Sequence, residues 1–160
     1  MENILIEKIQ RLEDMDCCAQ MMANSEPWIT LKRGYEDSLK LIKSPDRDVF
    51  IARIDGQCAG CIIICMIGAF RGYIQTIVVA EQWRNKGIGR CLLEFAEGYV
   101  FKKEPNLFIC VSSFNERAKQ LYLRMGFEVV GELHDYIIQG FSEILMRKTT
   151  GPMAEFIPEG

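Results

Sequence analysis

Between Tyr73 and Lys102 the hydrophobic period of the chain changes from that of a strand to that of a helix. Tyr73 to Val79 is β-rich and ends at Ala80-Glu81, after which Ile88, Leu92, Phe95, Ala96 and Tyr99 fall at helical spacing. The spacing predicts a strand over 73–79 and an amphipathic helix from Asn85 to about Lys102. Two glycines, Gly87 and Gly89, stand where one gives way to the other. The segment Ile77-Val78-Val79-Ala80-Glu81-Gln82-Trp83-Arg84-Asn85-Lys86-Gly87-Ile88-Gly89-Arg90 therefore reads as strand, short turn and helix opening. Such a turn is an anion cradle. Residues without Cβ let backbone N–H groups converge, the helix start adds positive dipole, and Arg84, Lys86 and Arg90 add charge. A diphosphate is the ligand that fits.

The two commonest nucleotide loops do not match. A P-loop carries Lys-Ser/Thr directly after its last glycine, whereas Lys86 precedes Gly87 and Arg90 follows Gly89. The dinucleotide pattern needs a third glycine where Leu92 stands. Taken alone, Arg84-x-x-Gly87-x-Gly89 reads equally well as a basic surface turn.

Elsewhere the pattern is of one α/β domain with no repeat and no Ser/Gly/Pro-rich divider. Ile4-Leu5-Ile6 with Lys8-Ile9 predicts a first strand, followed by helices over about 12–22 and 35–42. Between these helices Asn24-Ser25-Glu26-Pro27-Trp28 reads as a loop with an exposed aromatic. Val49 to Ile54 and Gln57 to Ile67 are strands joined by Asp55-Gly56, a pair suited to a tight turn with positive φ. Leu107 to Val111 is a strand. A helix follows, with Asn115 as N-cap, Glu116 at its positive end and Gly126 stopping it. Phe127 to Ile138 and Phe141 to Arg147 are two strands around a Gln139-Gly140 turn. The predicted order is β-α-α-β-β-β-α-β-α-β-β, with residues 1–148 forming the domain and 149–160 an extended or loose tail.

Composition narrows the function. Lys plus Arg number 19 against 22 Asp plus Glu, a net charge of −3, which gives no diffuse attraction to nucleic acid. The longest apolar run, Cys58 to Phe70, is broken by Gly60 and Gly68 and falls short of the ~20 residues of a membrane helix. With no basic, apolar leader at Met1-Glu2-Asn3-Ile4, a cytoplasmic location is expected. The seven cysteines are then expected to stay reduced. Cys58 and Cys61 have zinc-like spacing, and Cys65 and His134 could complete four ligands. However, Cys61, Ile63 and Cys65 alternate along an apolar strand and no second C-x-x-C exists, so no metal site is expected.

Beyond the glycine turn, the order Arg84-Asn85-Lys86-Gly87-Ile88-Gly89, then Asn115, Tyr122 and Gly126-Phe127, resembles the signature of the GNAT superfamily of N-acetyltransferases. The detailed match runs over about residues 73–147. The resemblance implies a mixed, mostly antiparallel central sheet flanked by helices, with acetyl-CoA as cosubstrate and a primary amine of a small molecule, protein N-terminus or lysine as acceptor. It implies a chain acting as a monomer or homodimer. By similarity, the main chain of Ile77, Val78 and Val79 would bond the pantetheine arm. Arg84, Asn85, Lys86, Gly87, Ile88, Gly89 and Arg90 would wrap the pyrophosphate. An N–H near Val79 would face the developing oxyanion, Asn115 would position pantetheine, and Lys119 would reach a CoA phosphate. Tyr122 would protonate the departing thiolate.

Two positions depart from the family pattern. Gln75 and Cys110 stand where relatives carry a glutamate base. An alkylammonium with pKa near ~10 must still lose a proton before it attacks a thioester. A water chain at Gln75 and Thr76, or Glu132, His134 or Asp135 from the last hairpin, remains open for that role. The Glu26-Pro27-Trp28 loop and Asp135-Tyr136 are expected to wall the acceptor pocket. A non-catalytic acyl-CoA-binding or sensor module is the alternative from another class. A nucleotide-binding regulatory domain lacks both standard signatures.

Overall fold

A computed structural model of the chain describes residues 3–160. The elements are β1 (Ile4–Lys8), α1 (Leu12–Ala23), α2 (Tyr35–Ile42), β2 (Asp48–Ile54), β3 (Gln57–Cys65), β4 (Tyr73–Val79), α3 (Ile88–Val100), β5 (Asn106–Ser112), α4 (Glu116–Arg124), β6 (Glu128–His134) and β7 (Ser142–Thr149). The sheet has seven strands in the order β1-β2-β3-β4-β5-β7-β6, antiparallel throughout except for β4 against β5. This is the mixed, mostly antiparallel architecture that the resemblance implies.

Each sheet face carries a core. One joins Ile62, Ile64, Ile74, Leu107, Ile109, Val111 and Met146 to Leu92, Leu93, Ala96 and Val100 of α3 and to Tyr122. The other joins Ile51, Cys61, Ile63 and Val78 to Cys18, Ala19 and Met22 of α1 and to Ile42 of α2. Strand alternation produces this division, since successive side chains of β3 and β5 go to opposite layers. Gly60 lets α3 approach closely: a Cβ there would lie 2.9 Å from Val78 O and 3.1 Å from Leu92 Cδ1.

Asp55 and Gly56 both have positive φ, 50° and 77°, so the β2–β3 hairpin turns as its residues suggest. Four expectations need correction. First, α3 starts at Ile88 and not Asn85, because Asn85 (φ 63°) and Gly87 (φ 83°) are left-handed and a short 3₁₀ turn occupies Glu81–Trp83. Second, β6 ends at His134 and the chain to Phe141 is a loop, tied by Gly140 N–H donating to Asp135 Oδ1 at 2.7 Å. Third, Trp28 is 8% exposed and packs in the α1/α2 core, so the exposed aromatic of the sequence reading is a core residue. Finally, residues beyond Thr149 lie back on the α3–β5 connection through Thr150 N–H to Pro105 O and Glu159 N–H to Lys102 O.

Candidate active site

The site begins with a pairing failure. β4 and β5 run parallel, yet only Tyr73↔Phe108 and Ile74↔Ile109 are in register. Beyond Ile74 the strands separate. The cause lies in β4: Ile63 pairs with Thr76 and Ile64 with Ile74, so Gln75 is an extra residue, a β-bulge that bends the strand away from β5. The side of Gln75 to Val79 away from β3 is consequently left without a strand partner, with main-chain groups that seek hydrogen bonds. The Gln75 side chain turns toward the α2–β2 connection, where Arg47 donates to its Oε1.

Beside this split lies a cavity of about 660 Å³ lined by Ile77, Val78, Val79, Arg84, Asn85, Gly87, Ile88, Gly89, Arg90, Asn115 and Tyr122. Of the loop residues Arg84 to Arg90, Lys86 alone is not in the lining; its Nζ sits 4.5 Å from the centre of the Trp83 ring. The helix opening is suited to an anion. Gly87 caps α3 with no side-chain hydrogen bond, and no acidic residue lies in the first turn. The first N–H groups of α3 therefore have neither an intrahelical acceptor nor a carboxylate to compete with a phosphate. At Gly89 a Cβ would meet only Leu121 and Val79, at 3.6 and 3.9 Å, so the protein's own packing does not demand glycine there.

The basic residues are engaged in different ways. Arg84 donates to Val79 O at 3.2 Å and to Ser25 Oγ at 3.1 Å, tying the end of β4 to the segment after α1. Arg90 Nε lies 2.8 Å from Glu94 Oε1. Lys119 is not in the lining, and Arg117 and Arg124 are there instead. Those two, with Leu121, form an i, i+4, i+7 stripe facing the start of α3, a signal present in the sequence but not used. Asn115 Oδ1 accepts from Ala118 N at 3.4 Å as the α4 cap, while its side chain also borders the cavity.

Tyr122 is 5% exposed and packs against Phe127 with ring centres 6.0 Å apart. It borders the same cavity as Ile77 and Val78, and burial pushes its phenol above the ordinary tyrosine range, so it holds its proton at neutral pH. The other mouth of the split opens toward α2, where a second hollow of about 410 Å³ is lined by Trp28, Arg33, Asp37, Ser38, Leu41 and Gln75. Trp28 lines this smaller hollow, whereas Glu26 borders the larger cavity beside Ile77 to Val79.

Among the open candidates for a base, Glu132 and His134 pair with Ile144 and Ser142 and so share the sheet face of α3 and α4. His134 Nδ1 is 3.0 Å from Ser142 Oγ, and Asp135 is occupied by Gly140 N–H. Among the described residues no group of three or more His, Cys, Asp or Glu side chains is arranged to hold a metal ion. Burial raises the thiol of Cys17, and contact with the Cys18 thiol together with burial raises that of Cys58, which favours the protonated form over a metal-binding thiolate. Among the described residues no helix is long and apolar enough to cross a membrane.

Comparison with known proteins agrees with this geometry. The model of the acetyltransferase (GNAT) family matches residues 10–127. An uncharacterized N-acetyltransferase of Chlorobaculum tepidum is 38% identical over 78 residues, 49% of this chain and 48% of that protein, so the match spans about half the length of that relative. An N-alpha-acetyltransferase of Sulfurisphaera tokodaii is 29% identical over 119 residues, 66% of this chain and 71% of that protein. An aminoglycoside 6'-N-acetyltransferase solved with coenzyme A has the same fold, with a TM-score of 0.76 at 17% identity over 92% of this chain and 98% of that one. The chain is a member of the GNAT family of acetyl-CoA-dependent N-acetyltransferases.

Proposed function

We propose that the chain transfers an acetyl group from acetyl-CoA to a primary amine of a small molecule, peptide or protein. The observation that carries this reading is the split between β4 and β5 at Gln75, opening beside the uncapped start of α3. The pantetheine arm lies along Ile77 to Val79 as an added strand, bonded through the main chain, and the pyrophosphate rests on Asn85 to Arg90. Arg117 and Arg124 supply further charge. On this reading the thioester lies in the split between two hollows, one for the cofactor and one for the acceptor.

The chemistry is aminolysis. The amine lone pair forms a C–N bond to the thioester carbonyl while negative charge gathers on oxygen, and a β4 N–H near Val79 bonds that oxyanion more strongly than the ground-state carbonyl. The C–S bond then breaks, the thiolate takes the Tyr122 proton, and the nitrogen loses its extra proton to solvent. Burial keeps the Tyr122 phenol protonated until that moment. Arg84, fastened to Val79 O and Ser25 Oγ, positions the strand end and leaves phosphate binding to main-chain N–H groups.

The test is release of CoA thiol from acetyl-CoA across a panel of primary amines, with acetyl-CoA binding followed by calorimetry. Binding and amine-dependent release are expected. Binding without release on any amine would support the non-catalytic module, and absence of binding at millimolar acetyl-CoA would overturn the reading.

A further inference from the structure

The relative positions of β5 and β7 bring one carboxylate to the acceptor side of the split. Ser112 stands opposite Glu143, and Cys110 opposite Leu145, in the antiparallel β5–β7 ladder. Leu107, Ile109, Val111, Ile144 and Met146 pack in the α3 core, so alternation sends Cys110, Ser112, Glu143 and Leu145 to the other face. That face carries Tyr73 and the Gln75 bulge of β4 and is walled by Arg33 of the α1–α2 connection and by Tyr136 of the β6–β7 loop.

Glu143 is unusual for a carboxylate. It is only 6% exposed, and among the described residues no Lys, Arg or His nitrogen lies within 4.0 Å of it. Arg33 acts on it from beyond ion-pair distance. The adjacent hydroxyl of Ser112 is itself buried without an aligned hydrogen-bond partner. A buried charge without a close counter-ion destabilises the folded state. An acceptor ammonium entering between Arg33 and Tyr136 would supply the missing charge.

We propose that Glu143 is the catalytic residue that receives the acceptor amine, binding its ammonium group and taking its proton before attack. The inference rests on the acetyltransferase reading above. R–NH₃⁺ passes one proton to the carboxylate, and the freed lone pair forms the C–N bond. The thiolate released by C–S cleavage takes the Tyr122 proton. As the amide forms, its nitrogen loses its second proton to solvent; the Glu143 proton returns to solvent with product release, and Tyr122 regains one from solvent, so that one proton is released in each turnover. Burial raises the Glu143 carboxyl above its ordinary range, against the opposing influence of Ser112 and Arg33, which improves it as a base near neutral pH. The other groups facing it hold their protons: burial raises the Tyr73 phenol and the Cys110 thiol, and the negative charge of Glu143 raises both further. The glutamate that relatives carry at the positions of Gln75 or Cys110, and that this chain lacks there, is thus supplied from a third strand.

The test uses Glu143→Gln with two kinds of probe: spermidine and Ala-Ala-Ala amide, which are cationic at neutral pH, and methoxyamine, which is largely neutral. The variant is expected to bind acetyl-CoA as the wild type does and to lose ~10²–10⁴-fold in kcat/KM on the cationic amines, with a much smaller loss on methoxyamine. Its residual rate should rise with pH according to each acceptor's own pKa, whereas wild-type rates share one acidic limb across acceptors. Glu143→Ala should regain activity with added formate, which keeps the proposal testable if Gln perturbs packing. Retention of more than half the wild-type kcat/KM on spermidine and peptide, or equal losses on cationic and neutral amines, or no formate rescue, overturns the assignment of Glu143 alone. A wild type that binds acetyl-CoA but acetylates none of the probes overturns the catalytic reading and this inference with it.

Discussion

Replacing Gly87 separates the two demands placed on the start of α3, left-handed backbone and room for an anion. Its φ is 83°, and a Cβ there would meet nothing within 4 Å, so a side chain costs strain but no collision. That strain amounts to about 1 kcal/mol, and less for Asn and Asp, which tolerate this region, giving a fall in Tm of about 2–4 °C in a domain of this size. Gly87→Asn and Gly87→Asp should share it. The aspartate adds a charge. At about 6 Å from a phosphate, with an effective dielectric between bulk water and a protein surface, repulsion is ~0.7–3 kcal/mol for each phosphate charge. Two such charges imply CoA binding weaker by roughly 10- to 10⁴-fold in Gly87→Asp than in Gly87→Asn. Calorimetric titration with CoA at low and high salt measures the difference, which should shrink as ions screen it. Equal affinities of the two variants at low salt would show that no phosphate lies at the start of α3.

Other perturbations address the acid, the buried carboxylates and the fold. Tyr122→Phe keeps the ring against Phe127 and should leave Tm and acetyl-CoA affinity nearly unchanged while kcat falls ~10²–10⁴-fold; retention of more than half the wild-type kcat with chemistry rate-limiting would exclude it as general acid. Glu143→Gln should raise Tm at neutral pH. The raised folded pKa means that ionisation weakens the fold as pH rises through it, so the advantage over wild type should vanish below about pH 4 in a thermal series. Asp14 lies 2.6 Å from Arg53, and although burial pushes its carboxyl up, Arg53 and Arg11 hold it below the ordinary range. Asp14→Ala should cost about 3 kcal/mol by denaturant titration, since Arg53 retains Glu7 at 2.7 Å, and the wild-type contribution should disappear as pH falls below about 4.

Local chemistry was readable in the sequence where a residue type dictates its own conformation. Asp55-Gly56 announces its turn, Gly126 with φ 91° ends α4, and Asn115 caps that helix. The cofactor loop could be found because its glycines and charges are contiguous. The bulge at Gln75 could not, since nothing in a run of β-formers states which residue will lack a partner; register is decided by β3. Glu143 escaped for a related reason. Its strand lies between β5 and β6, so the residues that bury it come from parts of the chain distant in sequence. Trp28 was misread because its polar neighbours suggest a loop surface, whereas its ring closes the α1/α2 core.

The two registered pairs between β4 and β5 also bear on how the molecule holds together. Ladder contact across the sheet is continuous from β1 to β4 and again through β5, β7 and β6, but is narrow where these halves meet. The join is a narrow point of the ladder, bridged by the α3 core, and in the proposed reading a cosubstrate in the split would bond to one half through β4 and to the other through α4. A bound cosubstrate would then act as a crosspiece between the two halves. Amides of β4 and β5 flanking the split should become protected from exchange together when it binds, while those in the β1–β2 ladder should change little.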